Sequence, residues 1–204
     1  MADILSITFP LFAIIALGYA CVRGGMFLPE HMRLFGSFVM NIALPALLFN
    51  AVATRPLDEV FNRTYMAVYL LGALLTIAVT YALLTAANTA PSRRAMAVMG
   101  TSCANSGFVG YPLMLLLFPD IAGQVLALNM LVENFVIIPV CLVLFELTKL
   151  RSAGRLAPMI AQTLLNVLKR PMVIALLAGL VVSLLNLPLP EALLRSTGIV
   201  AASA

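Results

Sequence analysis

Asn105, Ser106, Gly107, Gly110 and Pro112 lie within eight residues of one another, in the stretch Thr-Ser-Cys-Ala-Asn-Ser-Gly-Phe-Val-Gly-Tyr-Pro at positions 101–112. Amide and hydroxyl side chains beside backbone loosened by glycine and proline can hold a small polar or anionic molecule without making or breaking a bond. Pro112 has no amide hydrogen and its ring clashes with the carbonyl four residues back. The Phe108 oxygen therefore loses its helical partner, and Tyr111 is expected to turn extended. A half-helix starting near Pro112 would present free amides, the positive end of its dipole, to a carboxylate, with Asn105 and Ser106 orienting it. The plainer alternative is a proline-kinked helix with small residues on a packing face. The density of polar and helix-breaking residues favours a binding site of the kind built from broken transporter helices.

Two further groups carry polar chemistry into apolar surroundings. In Asn41-Ile-Ala-Leu-Pro45 the proline frees the carbonyl of Asn41, so side chain and backbone oxygen are available at one point, for substrate or for a neighbouring helix. Glu133 is the one ionisable residue deep inside an apolar run, with Asn129 a turn before it and Asn134 adjacent. A carboxylate at that depth is costly unless protonated or paired. It is either a neutral acid in a structural network or, with Asn129, a site for a coupling proton or cation. Pro139 frees the carbonyl of Phe135 in the same run. Enzyme chemistry finds no support: no second intramembrane carboxylate serves an aspartyl protease, the single histidine, His31, sits in a loop, and neither a zinc motif nor a phosphate loop occurs. No cofactor or metal is expected.

The elements that must position these residues are membrane spans. Of 204 residues 63% are hydrophobic and 10% charged, and mean hydropathy is +1.08, against about a quarter charged in soluble domains. About 20 residues cross a bilayer as a helix. Uncharged runs place spans at 4–22, 34–54, within 64–92, 95–119, 121–145 and 171–189. The first run has Asp3 where a signal peptide carries positive charge, and is too long for one. Residues 147–170 hold five of the twelve basic residues and an amphipathic piece with Leu156, Met159, Ile160, Leu164 and Val167 on one face, an interfacial linker. The chain stops nine residues into a seventh apolar run, as a piece of a longer protein would. The formal charge of +4 is spread over short loops rather than gathered in a stripe, so it serves topology and anionic lipid, not nucleic acid. Nine basic residues, Arg23, Arg33, Arg93, Arg94, Lys149, Arg151, Arg155, Lys169 and Arg170, fall on one side of the alternating topology. Three, Arg55, Arg63 and Arg195, fall on the other. That asymmetry puts the N-terminus outside. Cys21, Cys103 and Cys141 lie in apolar runs and read as small buried residues rather than disulfide or metal partners.

Pro10, Gly18, Leu28, Pro29 and Glu30 recur 161 positions later as Pro171, Gly179, Leu189, Pro190 and Glu191, in one register without a gap. Five spans separate the copies, so the second enters from the opposite face, an inverted repeat of the alternating-access kind. Pro10 with Leu17-Gly18-Tyr19, the run Asn41-Ile-Ala-Leu-Pro-Ala-Leu-Leu-Phe49, and Asn105-Ser-Gly-Phe-Val-Gly-Tyr-Pro112 together resemble the auxin efflux carrier family, the plant auxin exporters and their bacterial relatives, malonate carriers among them. The resemblance implies an all-α membrane protein of ten spans in two inverted five-span repeats. Spans one, two, six and seven would form a scaffold, able to pair as a homodimer, and the others a moving transport domain. Broken spans four and nine cross at the substrate, which puts Asn105, Gly107 and Pro112 at the crossover. Residues 1–146 are then the first repeat, 147–170 a cytoplasmic linker and 171–204 the start of the second, ending before spans eight to ten. The function so implied is secondary transport of a small organic anion across a bacterial inner membrane. The alternatives are a non-transporting membrane fragment and a ligand-binding membrane sensor.

Overall fold

The computed structural model describes residues 2–56, 61–148 and 156–203; the side chains of residues 2–7, 156, 157, 159, 160 and 163 lie outside that description. Among the described residues there are helices and connections and no strand. Helix α1 is Ala2–Arg23, α2 Pro29–Ala53, α3 Arg63–Ala86 and α4 Pro91–Ser102. Helix α5 follows as Tyr111–Leu117, α6 as Pro119–Leu147, α7 as Leu156–Leu168, α8 as Pro171–Leu184 and α9 as Glu191–Ala201. Four of them, α2, α4, α6 and α8, open on a proline, where the missing amide is one that has no helical acceptor anyway and the fixed φ suits the first turn. Helix α3 opens instead on Asn62, whose side chain accepts the Tyr65 amide at 2.9 Å.

Three of the prolines inside helices produce the same local structure, whereas Pro10 lies within α1, which continues through it as α-helix. Pro45, Pro112 and Pro139 each follow, after one intervening residue, a five-residue π turn: Val39–Ala43, Ser106–Gly110 and Glu133–Ile137. The residue before each proline keeps helical dihedrals and donates five residues back: Leu44 to Val39, Tyr111 to Ser106 and Ile138 to Glu133. Widening the turn by one residue relieves the clash between ring and carbonyl without ending the helix. Tyr111, expected to turn extended, instead sits at φ −64° and ψ −49°.

Helices α2, α3 and α6 are each long and apolar enough to cross a membrane, while Thr8–Arg23 of α1 and all of α8 are shorter apolar helices. Side chains such as Phe9, Phe12, Ile15, Val68, Leu71, Leu75 and Leu83 stand outward along α1 and α3, an apolar surface suited to hydrocarbon. Lipid tails are as apolar as leucine, so packing is carried by close approach and hydrogen bonds. Helix α8 lies closest on α2: a Cβ built at Gly179 would stand 3.0 Å from the Phe49 carbonyl oxygen and 3.3 Å from the Val52 Cβ. Leu44, Leu48 and Val52 of α2, Leu126 and Met130 of α6 and Leu176 of α8 form one core. A second joins Ile77, Val98, Val132, Ile137 and Cys141 of α3, α4 and α6. At the far end of α2, Arg55 donates to the Asp120 carbonyl at 2.6 Å and accepts from the Ser183 hydroxyl at 2.6 Å, tying α2 to α6 and α8.

Helix α7 packs on α6 and α8. Of its expected apolar face, Val167 is buried and Leu164 exposed, while the Leu156, Met159 and Ile160 side chains lie outside the described residues. The helix ends at Leu168, and Lys169 and Arg170 turn the chain into α8, with Arg170 extended at φ −69° and ψ 133°.

Candidate functional site

The break in the fourth span is where the site begins, and it lies earlier than the proline suggested. Helix α4 stops at Ser102, and Cys103 leaves the helix at φ −86° and ψ 103°. The chain re-enters helix at Ser106, with Asn105 as the capping residue: its side chain accepts the Phe108 amide at 3.3 Å and its carbonyl accepts the Val109 and Gly110 amides, both at 3.1 Å. The second half-helix therefore starts at Ser106, six residues before Pro112. Pro112 lies beyond the π turn, within the half-helix, so the expectation of a start near Pro112 is corrected. A proline inside a helix can be absorbed by a π turn, whereas a side-chain oxygen on a first-turn amide marks a true helix start.

The π turns of three spans face one cavity of about 200 Å³. The first contributes Met40 and the following Leu44, the second Ser106, Gly107 and Phe108 beside Asn105, and the third Glu133, Asn134 and the following Ile138. Arg170 and Met172, from the turn into α8, close the remaining wall. The cavity is smaller than the roughly 300–1,000 Å³ of pockets for drug-sized ligands.

Its floor is a hydrogen-bonded acid. Glu133 is 4% exposed and Ser106 6%, and the Ser106 hydroxyl donates to Glu133 Oε1. The Tyr69 hydroxyl donates to the same oxygen at 2.6 Å. One turn away the Tyr65 hydroxyl donates to Asn129 Oδ1 at 2.8 Å, and the two tyrosine rings stack with centroids 6.3 Å apart. Tyr65 and Tyr69 are four residues apart on α3, as Asn129 and Glu133 are on α6, so two parallel rungs tie the helices together. Among the described residues no basic side chain forms an ion pair with Glu133. Asn134 is buried as well; its amide nitrogen donates to the Met130 carbonyl at 2.9 Å, and its oxygen accepts from Arg170 Nη1 at 3.3 Å.

Of the residues singled out from sequence, Asn105, Ser106, Gly107 and Glu133 line this cavity together. Gly110, Pro112, Asn129 and Asn41 are not on its wall. Asn129 is engaged by Tyr65, and the Asn41 amide donates back along its own helix to the Ser37 carbonyl at 2.8 Å and hydroxyl at 3.1 Å. Tyr69 and Arg170 were missed. A tyrosine in an apolar span gives no sign of which carboxyl it will meet, and Arg170 read only as a loop charge. One signal was there: Phe-Val-x-x-Pro occurs at 108–112 and again at 135–139, and the same 27-residue offset relates Ser106 to Glu133.

A broken apolar helix and two π-widened ones around a small cavity with polar groups on its wall suit a membrane carrier, and comparison with known proteins agrees. The model of the membrane transport protein family, that of the auxin efflux carriers, matches residues 3–204. The chain belongs to that family. It is also similar to a candidate malonate transporter of Rhizobium meliloti (strain 1021), with 32% identity over 139 residues. That alignment covers 66% of this chain and 42% of the relative, so the chain spans less than half of the relative's length. As a member of a transporter family, it is a multi-pass integral membrane protein.

Proposed function

We propose that the protein moves a small organic anion across a bacterial inner membrane by alternating access, with the cavity at the fourth span as the substrate site. The observation that carries this reading is the convergence of three proline-linked π turns on one small cavity that holds several polar groups on its wall. Each such turn disturbs the regular bonding of a span, and backbone of that kind is tolerated in a bilayer only against protein or water. Asn105, Ser106 and Gly107 orient the anion. Asn41, Gly110 and Pro112 shape the two spans from behind, Pro112 by setting the π turn that turns Ser106 inward. The malonate named for the Rhizobium relative makes a short carboxylate the first substrate to try.

Glu133, with Asn129 beside it, couples transport to a proton or cation gradient. Both hydroxyls bonded to Glu133 use one oxygen, and one of them, Ser106, begins the half-helix at the cavity wall. Adding or removing a proton there changes how firmly Ser106 is held and so the shape of the anion site. The scaffold is the group α1, α2, α8 and α9, a surface for a homodimer, with α8 and α9 opening an inverted second repeat at 171–204. Residues 147–170 link the repeats on the cytoplasmic side and the N-terminus is outside.

The test is counterflow in vesicles reconstituted with the protein and preloaded with unlabelled malonate. Accumulation of external labelled malonate driven by the preload is the expected result. Binding without exchange would make the protein a sensor, and neither binding nor exchange of malonate or other short carboxylates would overturn the reading.

A further inference from the structure

Arg170 stands out because its one side-chain hydrogen bond leaves most of its donors uncommitted. It lies in the short turn between α7 and α8, is exposed, and reaches the wall of the same cavity that Glu133 and Ser106 line. Among the described residues it forms no ion pair, and its hydrogen bond is the 3.3 Å contact from Nη1 to Asn134. A guanidinium has five donors in a planar fork, so most of its capacity is left uncommitted beside the cavity. Asn134 cannot swing away, because its amide nitrogen is held by the Met130 carbonyl and its side chain is buried. It therefore offers the guanidinium a fixed acceptor at the cavity wall.

The cavity wall carries two kinds of polar group. One is the neutral Asn105 beside the Ser106–Glu133 pair, whose hydroxyl is already given to the acid; the Asn105 amide nitrogen can donate to a carboxylate or to an uncharged amide by much the same hydrogen bond. The other is Arg170, which favours a second negative charge and can grip it with two parallel bonds. Leu44, Met130, Ile138 and Met172 make the rest of the wall apolar, as a short methylene bridge would require. We propose that Arg170 is the specificity-determining residue of this site, binding the second carboxylate of a short dicarboxylate and so separating dianions from monoanions of the same shape. The proposal rests on the reading that the cavity holds the transported anion.

Three probes of nearly equal size isolate the charge: malonate, its monoamide malonamate, and malonamide. Their affinities are measured by calorimetry on the purified protein in detergent, with melting temperature as the folding control. Wild type should prefer malonate to malonamate by about tenfold or more, or about 1.4 kcal/mol. Arg170→Gln should weaken malonate by about that factor while leaving malonamate within about twofold, so that the preference collapses. Arg170→Lys keeps the charge, loses the fork and should fall between them, and it serves if the glutamine variant does not fold. A malonate preference that survives both substitutions would overturn the proposal while leaving the cavity as the anion site, as would equal wild-type affinity for malonate and malonamate. Wild type binding none of the three would overturn both.

Discussion

Replacing Glu133 by glutamine or by alanine separates a coupling acid from a structural one. Glu133 Oε1 accepts from both Ser106 and Tyr69, and glutamine keeps a carbonyl oxygen there. Both bonds can persist, and Glu133→Gln should change stability by less than about 1 kcal/mol, as near-isosteric changes that leave no donor unpaired tend to do. Alanine removes the acceptor from two hydroxyls. Stranding a buried donor costs about 1–3 kcal/mol, so Glu133→Ala should lose about 2–6 kcal/mol. At about 2–4 °C per kcal/mol for a domain of this size, its melting temperature should drop by roughly 4–24 °C, and that of Glu133→Gln by less than about 4 °C. Only the ability to carry a proton is lost in both. In reconstituted vesicles Glu133→Gln should therefore keep malonate exchange near wild type and lose most uptake driven by a pH gradient. If the glutamine variant loses exchange and uptake equally and melts as low as the alanine variant, Glu133 is a structural acid. If it keeps gradient-driven uptake, the proton is carried elsewhere.

Asn105→Ala removes the cap on Phe108 and a polar contact, and calorimetry should show malonate binding weakened by about tenfold, or about 1.4 kcal/mol. Pro112→Ala lets the π turn close into an α turn, rotating Ser106 by about 100° against Tyr111–Leu117. It should therefore weaken binding no further when Ser106→Ala is already present, and additive losses would show that Pro112 does not act through Ser106. Gly179→Ala puts a Cβ against the Phe49 carbonyl, which is backbone and cannot turn aside; a loss of about 1–3 kcal/mol should appear as a lower melting temperature, and an unchanged one would mean that α2 and α8 can part without cost. Cysteines placed at Ser92 and Leu187, with Cys21, Cys103 and Cys141 replaced, should be labelled from inside and outside respectively; labelling of Ser92 from outside intact cells would reverse the orientation.

The sequence by itself determined what is local. Apolar runs without charge must lie in hydrocarbon, so the membrane class followed from composition. A proline without an amide hydrogen leaves the carbonyl four residues back without its helical donor, which marked Pro45, Pro112 and Pro139 as places where spans can depart from regular helix. A lone acid at mid-span must find partners, which singled out Glu133. What the disturbance becomes was not local. Whether a proline ends a helix or widens one turn depends on what surrounds it, and here it widens the turn in all three spans. The end of the helix falls at Cys103, and the restart follows Asn105, whose oxygen can cap Phe108. Partners are decided later still. Tyr69 and Ser106 are far from Glu133 along the chain and meet it because α3, α6 and the half-helix from Ser106 pack together. Arg170 joins the same cavity because the chain turns between α7 and α8 beside Asn134. A hydrogen-bond deficit belongs to a residue and can be read from it, whereas its satisfaction belongs to a pair, and which pairs form is settled only when the helices are packed.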